Sequence, residues 1–214
     1  MRRLATCTLL LFLTVFFYNA TGENILPKSP LDQFSTIWND LKYEEANSAY
    51  HVIYMNEKEK QVIYILNLVR MNPSLFESTV LSQYPAFTGK ADLKNNIYYK
   101  SLSASLKKMK PLPLLLPNKF CFESAQCHAQ SSGIAGHIGH DRINSDCKKK
   151  SFYFGECISY GFENALDIVL ALLIDDGVPN LGHRLNLLGA FNSVAVSIQP
   201  HTSYRFNAVI DLAY

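Results

Sequence analysis

The sequence has no strong excess of charge of either sign. Its 20 lysines and arginines face 18 aspartates and glutamates, so the net charge is +2. The two basic runs, residues 107–108 and 148–150, are short, and each is expected to be a solvated surface. Nucleic-acid-binding domains normally carry a pronounced basic face or stripe. The composition therefore predicts that nucleic acid is not a partner of this protein.

Several catalytic signatures are missing. The sequence contains no HExxH helix, no glycine-rich phosphate-binding loop and no GxSxG nucleophile elbow. It also has no internal repeat and no CxxC pair, so a zinc site built from thiolates is not expected. The groups that remain able to carry chemistry are histidines and carboxylates in glycine-rich segments.

Long apolar runs are also missing, except at the N-terminus. Arg2 and Arg3 precede an apolar run at residues 4–18, and small residues follow at 20–22. This order is typical of a secretory signal peptide. The run is shorter than the roughly twenty residues that span a bilayer, and an uncleaved anchor is the alternative. We therefore expect residues 1–22 to be a signal peptide, and the mature chain, with no transmembrane segment, to be secreted or periplasmic.

Four cysteines fall close together in the expected mature chain. An even number of cysteines in an exported protein predicts disulfides, and four cysteines allow three pairings. A cysteine–histidine hydrolase is the alternative, because Cys127 or Cys157 could approach a histidine, but pairing would remove the free thiol. The disulfide candidates are Cys121, Cys127, Cys147 and Cys157.

Helical periodicity dominates the first two thirds of the chain. Residues 23–54 have weak periodicity and are expected to be an N-terminal extension. Asn56, followed three residues later by Glu59, is a capping-box pattern that predicts a helix start. Further helices are predicted over residues 97–109 and from residue 118 to about residue 133.

Strand patterns dominate the last third. A strand is predicted over residues 151–160 and an apolar helix over residues 164–175. Alternating apolar residues at 194–198 and 206–212, separated by a turn at 200–203, predict an antiparallel hairpin. Helices first and strands later predict an α+β domain with helices packed on a mostly antiparallel sheet.

The six histidines differ in their surroundings. Those in the extension and in the hairpin turn are expected to be exposed and inert, and the one on the predicted helix after residue 118 is expected to be structural. The other three lie beside glycines in "GHIGHD" (residues 136–141) and "GHRLN" (residues 182–186), in loops where binding groups concentrate. The two histidines expected to be inert are His51 and His201, and the structural one is His128. The three beside glycines are His137, His140 and His183.

Each carboxylate near these loops has two possible roles. Glu156 lies in a strand-like stretch, where an inward carboxylate is costly unless it is neutralised, hydrogen-bonded or metal-bound. The alternative is a strand-end glutamate that faces water. Asp175 and Asp176 follow a predicted helix and precede a turn, where aspartate is common for reasons of turn chemistry alone.

The order of these motifs resembles a known family. "CHAQSSGIAGHIGHD", "GECISYG", "LLIDDGVPNLGHRLNLL" and a closing β-hairpin are similar to the blocks of the CAP superfamily, which includes cysteine-rich secretory proteins, antigen 5 and pathogenesis-related proteins. The resemblance is closest to the bacterial secreted, SCP-like branch. It covers residues 55–214, which would be the CAP domain.

The resemblance implies a three-layer α-β-α sandwich with a mostly antiparallel central sheet and a cleft lined by two histidines and two acids. By motif, His140, Glu156 and His183 match cleft residues. The second acid has no clear counterpart, and Asp176 is preferred to Asp175 because it is closer to the loop.

The resemblance also implies a metal site, and the sequence departs from the family pattern at one position. His140 and His183 would bind zinc or another divalent cation, while Arg184 and Asn186 would support the loop. Cys157 stands where the family has an asparagine, so a side-chain amide is replaced by an expected disulfide partner.

Two functions follow from this reading. The first is a binding module whose cleft holds a lipid, a peptide or a cell-wall fragment, with or without a metal. The second is a metal-assisted hydrolase acting on peptide, ester or cell-wall substrates, with Glu156 as the best general-base candidate. A third possibility is that His140, Glu156 and His183 mainly organise the loops. Fold alone does not decide between these functions.

Overall fold

The computed structural model describes residues 28–214. The expected signal peptide at residues 1–22 lies outside the described residues. The α-helices are α1 (Glu57–Met71), α2 (Pro73–Phe76), α3 (Tyr84–Phe87), α4 (Ile97–Lys108), α5 (Lys119–Ala135), α6 (Ser145–Lys150), α7 (Ala165–Ile174) and α8 (Gly182–Leu187). The strands are β1 (Leu116–Pro117), β2 (Gly155–Tyr160), β3 (Ser193–His201) and β4 (Arg205–Ala213). Short 3₁₀ helices cover Thr36–Asn39, Leu41–Ala46 and Ala91–Asn95, and a π-helical turn covers Glu77–Leu81.

Asparagine side chains begin the long helices. Asn56 accepts hydrogen bonds from the first-turn amides of α1, and Glu59 accepts one from the Asn56 amide, which completes the predicted capping box. Asn96, Asn118 and Asn164 cap α4, α5 and α7 in the same way. Each cap satisfies amides that have no partner inside the helix. The predicted helices are therefore confirmed, with boundaries within about two residues.

The sheet has the strand order β1-β3-β4-β2. β3 and β4 pair antiparallel over their whole length and form the predicted C-terminal hairpin, and β2 pairs antiparallel with β4. The short β1 runs parallel to β3. The α+β class and the mostly antiparallel sheet are confirmed, and β2 begins at Gly155, four residues later than the sequence predicts.

Strand β4 is covered on both faces. The Asn207 Nδ2 donates to Ala129 O of α5 at 3.2 Å, and Val209 packs on the same helix. Ala208 and Ile210, which point to the opposite face, join the larger core, which also contains residues of α1 and α7. The complete three-layer sandwich stays a prediction.

The part of the predicted extension that is described, residues 28–54, packs into the larger core. Trp38 is fully buried, and its indole N–H donates to Thr79 Oγ1 at 3.1 Å. Leu31 and Ala46 are also fully buried in that core. The apolar core therefore contains residues from both sides of the expected domain boundary at residue 55.

One disulfide is present among the described residues. Cys127 of α5 is bonded to Cys147 of α6, and the bond joins the two helices on either side of the GHIGHD segment. Cys121 and Cys157 are buried free thiols, so the expectation that all four cysteines pair is wrong for these two. Both lie inside the larger core, where burial raises the pKa of the Cys121 thiol to about 12 and also raises that of Cys157. Of the two cysteines named for a cysteine–histidine hydrolase, Cys127 is held in the disulfide and the Cys157 thiol is buried, so neither offers an accessible thiolate.

The disulfide state gives a direct prediction. A double Cys127→Ser, Cys147→Ser variant should lose about 3 kcal/mol of unfolding free energy, because the bond closes a loop with a sequence separation of 20. Denaturant unfolding measures the loss. Alkylation of the unreduced wild-type protein should label Cys121 and Cys157 only after denaturation. Labelling of Cys127 in that experiment would show that the disulfide does not form.

Candidate functional site

Strand β2 positions the first histidine–carboxylate pair. Glu156 is almost fully buried, and its Oε1 lies 2.7 Å from His140 Nδ1. The His140 side chain is 56% exposed, whereas that of Glu156 is 2% exposed. A carboxylate on Nδ1 fixes the tautomer and leaves Nε2 toward solvent. The inward reading of Glu156 is therefore correct.

The backbone of the GHIGHD segment is held by three side chains. His128 Nε2 lies 3.0 Å from Gly139 O, and the Tyr160 hydroxyl accepts from the Gly139 amide at 2.9 Å. His201 Nε2 lies 3.1 Å from His137 O. His128 is structural as expected, but His201 is buried and supports the loop, so the expectation that it is exposed is wrong. These contacts fix the position of the backbone that carries His140.

Two further buried residues surround Glu156. An Arg142 Nη2–H donates to Glu156 Oε2, and the same atom lies 3.6 Å from Asp211 Oδ2. Asp211 is directly opposite Glu156 in the β2–β4 register and is fully buried. The Arg142 guanidinium also lies 4.7 Å from the ring centroid of Tyr153. Two carboxyl groups thus share one buried guanidinium.

The pKa values of these groups are moved in opposite directions. Burial by itself would raise the pKa of Glu156, but hydrogen bonds from His140 and Arg142 outweigh it and lower the pKa. Burial and the neighbouring charge of Glu156 raise the pKa of Asp211 well above its usual value. The hydrogen bond to Glu156 raises the pKa of His140. The pKa of Asp211 thus lies above that of Glu156, so Glu156 is the carboxyl group that ionises first as the pH rises.

The second histidine–carboxylate pair lies at the start of α8. Asp175 Oδ1 is 2.7 Å from His183 Nδ1, and Asp175 Oδ2 accepts from the amides of His183 and Arg184 at 3.0 and 3.2 Å. Asp175 is buried, whereas Asp176 is exposed. The preference for Asp176 is therefore corrected: the acid that meets His183 is Asp175. It occupies a left-handed backbone position (φ 61°) at the end of α7, which turns its side chain back toward α8.

Arg184 and Asn186 support this region as expected. The buried Arg184 guanidinium donates to the carbonyls of Leu173 and Ile174 at the end of α7, and also to α4. These carbonyls have no partner within the helix, so the arginine supplies it. Asn186 Nδ2 donates to Glu156 O at 3.2 Å, which ties α8 to β2.

The two pairs flank strand β2. Glu156 and Cys157 are consecutive in the strand, so their side chains point to opposite faces. Glu156 holds His140 on one face, and on the other the Cys157 thiol lies 3.6 Å from His183 O. β2 is the edge strand of the sheet. β2 thus contacts both histidine segments, the first through Glu156 and the second through Cys157 and Asn186.

The carboxylates are committed to protein partners. Both oxygens of Glu156 and both of Asp175 already accept hydrogen bonds. Within residues 28–214, no three His, Cys, Asp or Glu side chains form a group able to hold a metal ion. The free Nε2 atoms of the two imidazoles are therefore the candidate ligands, and the carboxylates orient them.

Sequence reasoning missed Arg142 and Asp211. A signal for Asp211 exists: it alternates with the apolar residues of the second hairpin strand, and so points to the opposite face of the sheet. That face is covered by α5. Arg142 follows the GHIGHD segment directly and shows no periodic pattern that would predict its burial.

The Glu156 pair predicts a specific pH dependence. Because the folded-state pKa of Glu156 is lowered, its contribution to stability is present above its ordinary pKa near 4.5 and is lost as the pH falls below that value. Because the pKa of His140 is raised, that contribution is largest below 6.5 and decreases as the pH rises through the folded value. The stability difference between wild type and Glu156→Gln should therefore peak between about pH 5 and 6.

Denaturant unfolding at several pH values measures this difference. Glu123→Gln, an exposed position on α5, is the matched control and should show a flat profile. A Glu156→Gln difference that grows as the pH falls below 4 would contradict the assignment of Glu156 as the ionised group.

No family model, no curated protein and no solved structure matches this chain.

No helix within residues 28–214 is long and apolar enough to cross a membrane.

Proposed function

We propose that this chain is a secreted CAP-domain binding module in which His140 and His183 hold a divalent cation such as zinc. One observation carries the proposal: each imidazole has its Nδ1 on a buried carboxylate, at 2.7 Å in both pairs, and its Nε2 has no hydrogen-bond partner among residues 28–214. Metal-binding histidines almost always have such a partner on the other ring nitrogen. The donor set thus fits zinc or a similar ion.

Glu156 and Asp175 act on the histidines and not on the metal. Each is at least 98% buried in its side chain, and each fixes one imidazole ring. A carboxylate hydrogen-bonded to Nδ1 fixes the orientation of the ring and leaves coordination to Nε2. Arg142 donates a hydrogen bond to Glu156, and Arg184 donates one to the carbonyl of Leu173, two residues before Asp175. These contacts hold the two carboxylates in place.

A cation held by two imidazoles would keep open coordination positions. An oxygen ligand from a peptide, a cell-wall fragment or a lipid headgroup would complete the coordination. The exposed side chain of His140 leaves this side of the site open to solvent. We therefore assign the ligand to these oxygen-bearing classes.

The hydrolase alternative has less support at Glu156. Its pKa is lowered, and both of its oxygens are occupied by His140 and Arg142, so it is a weak and blocked general base. A metal-assisted hydrolase would need another group to accept the proton.

Zinc titration by calorimetry tests the proposal. Wild-type protein should bind one zinc ion, and the His140→Ala, His183→Ala double variant should lose this binding. His51→Ala is the matched control, because His51 is an exposed histidine outside the site, and it should bind as wild type does. Glu156→Gln or Asp175→Asn should weaken binding by about 10- to 100-fold.

Equal zinc binding by wild type and the double variant would remove the site assignment. The enzyme alternative has its own readout: turnover of a peptide, ester or cell-wall substrate that disappears in the double variant, while the fold is retained by circular dichroism. Such turnover would replace the binding-module proposal with the hydrolase.

A further inference from the structure

Two pairs of aromatic side chains are exposed, and each pair includes a residue that closely follows α6 in the chain. Phe154 and Tyr214 are 68% and 69% exposed, and their ring centroids are 5.5 Å apart. Phe120 and Phe152 form a second exposed pair at 5.7 Å. Large aromatic side chains that stay together in water indicate an interaction surface.

The chain geometry directs these rings outward. Phe152, Tyr153 and Phe154 lead into β2, where successive side chains alternate. Tyr153 faces inward and packs under the buried Arg142 guanidinium. Phe152 and Phe154, on the other side of the segment, have no place in either core cluster.

Three lysines come immediately before these rings. Lys148, Lys149 and Lys150 form the last turn of α6 and are all exposed. Lys149 pairs with Asp146 at 3.1 Å on the exposed surface, which neutralises little. Lys148 and Lys150 have no acidic partner within the described residues. The run of residues 148–150 is thus separated from Phe152 by one residue of the chain.

We propose that this basic-aromatic surface, formed by residues 148–150, Phe152 and Phe154 with Phe120 and Tyr214 beside them, docks on an anionic lipid membrane. The lysines would meet lipid phosphates, and the rings would enter the interface between headgroups and acyl chains. Basic residues beside aromatic residues are the combination that interfacial binding needs. The charge of the lysines selects an anionic surface over a neutral one.

Docking here is independent of the proposed metal. The surface lies outside both histidine–carboxylate pairs, and α6 is fixed to the body of the protein by the Cys127–Cys147 disulfide. The disulfide would hold the lysines in place when the rings insert. Tests in the presence of a chelator separate this proposal from the metal site.

Co-sedimentation with vesicles tests the proposal. The mature chain, beginning at residue 23, should bind vesicles of equimolar phosphatidylcholine and phosphatidylglycerol, and should bind pure phosphatidylcholine much less. Lys148→Gln, Lys149→Gln, Lys150→Gln should lower the partition coefficient by about a hundredfold, since each lysine near an anionic surface contributes roughly a fivefold factor. Phe152→Ala, Phe154→Ala should lower it by at least about tenfold.

A matched charge control uses three other exposed lysines. Lys94, Lys100 and Lys108 lie in or beside α4 and have no acidic partner within the described residues. Their triple replacement by glutamine changes the net charge equally and should lower partitioning by less than about threefold. The apolar run of residues 4–18 is left out of every variant, because it would bind neutral vesicles as well.

A fluorescent reporter places the contact. The sequence has one tryptophan, and Trp38 is fully buried, so its emission stays constant. Phe154→Trp should give a blue-shifted emission that brominated lipid quenches, with anionic vesicles only. An unshifted reporter, or equal losses in the two lysine triples, would overturn the proposal. If the protein dimerises through the basic-aromatic surface in sedimentation experiments and does not bind vesicles, the proposal is also overturned. The surface would then be assigned to self-association.

Discussion

Replacing Asp175 by asparagine should lower the free energy of unfolding by about 3 kcal/mol, whereas the same change at Asp176 should alter it by less than about 0.5 kcal/mol. The two residues are adjacent and chemically identical. Asp175 is buried and accepts three hydrogen bonds, and Asp176 is exposed. The comparison therefore isolates the contacts of one carboxylate.

The size of the effect follows from what the asparagine would do. Its amide retains one acceptor oxygen but places an N–H₂ donor against the amides and the imidazole of the α8 start. Hydrogen bonds to a charged group contribute about 1.5–3 kcal/mol each, and a buried donor left unpaired carries its own penalty. Asparagine tolerates the left-handed backbone at residue 175 as aspartate does, so backbone strain does not enter the difference.

Denaturant unfolding of the two variants at neutral pH is the measurement. The zinc titration described above provides a second readout, because Asp175→Asn should also loosen His183. Equal stabilities for the two variants would contradict the placement of Asp175 against His183.

Replacing Arg142 by methionine should lower the free energy of unfolding by about 3–5 kcal/mol. The change removes the guanidinium that Glu156 and Asp211 share and leaves an ionised carboxylate buried with no cation of equal quality. Breaking one side of a buried ion pair is costly because the remaining charge is not solvated. Methionine keeps much of the side-chain volume, so packing changes little.

A double-mutant cycle with Glu156→Gln tests the cause of this loss. In the Glu156→Gln background no buried charge is left behind, so Arg142→Met should cost at least about 2 kcal/mol less than in wild type. Arg205→Met, at an exposed arginine of the hairpin, is the control and should change stability by less than about 0.5 kcal/mol. Additive effects of the Arg142 and Glu156 changes would show that packing over Tyr153, and not charge, dominates.

Local signals in the sequence predict most of the secondary structure. The asparagine caps at residues 56 and 118 and the alternating pattern of the hairpin depend on nearby residues only, and the structure confirms them. His140 and His183 are also identified from their glycine neighbours and the motif order. The structure adds the partner of each histidine.

Three features depend on contacts between distant segments. Asp211 lies beside Glu156 because β2 and β4 pair in one register, and α5 then seals that face of the sheet. Cys127 reaches Cys147 because α6 packs on α5, and the same packing leaves Cys121 and Cys157 unpaired in the core. Neither register nor helix packing has a local signature.

Local patterns in the sequence predict the helices, the hairpin and two loop histidines with an acid near each. The tertiary structure shows that Asp175 and not Asp176 meets His183, that Arg142 joins Glu156 to Asp211, and that Phe152 and Phe154 pair with Phe120 and Tyr214. The physical reason is that capping and periodicity act within a few residues of the chain. The direction of a side chain at a helix end, and the charge that stands beside it, are set by elements that meet only when the chain folds.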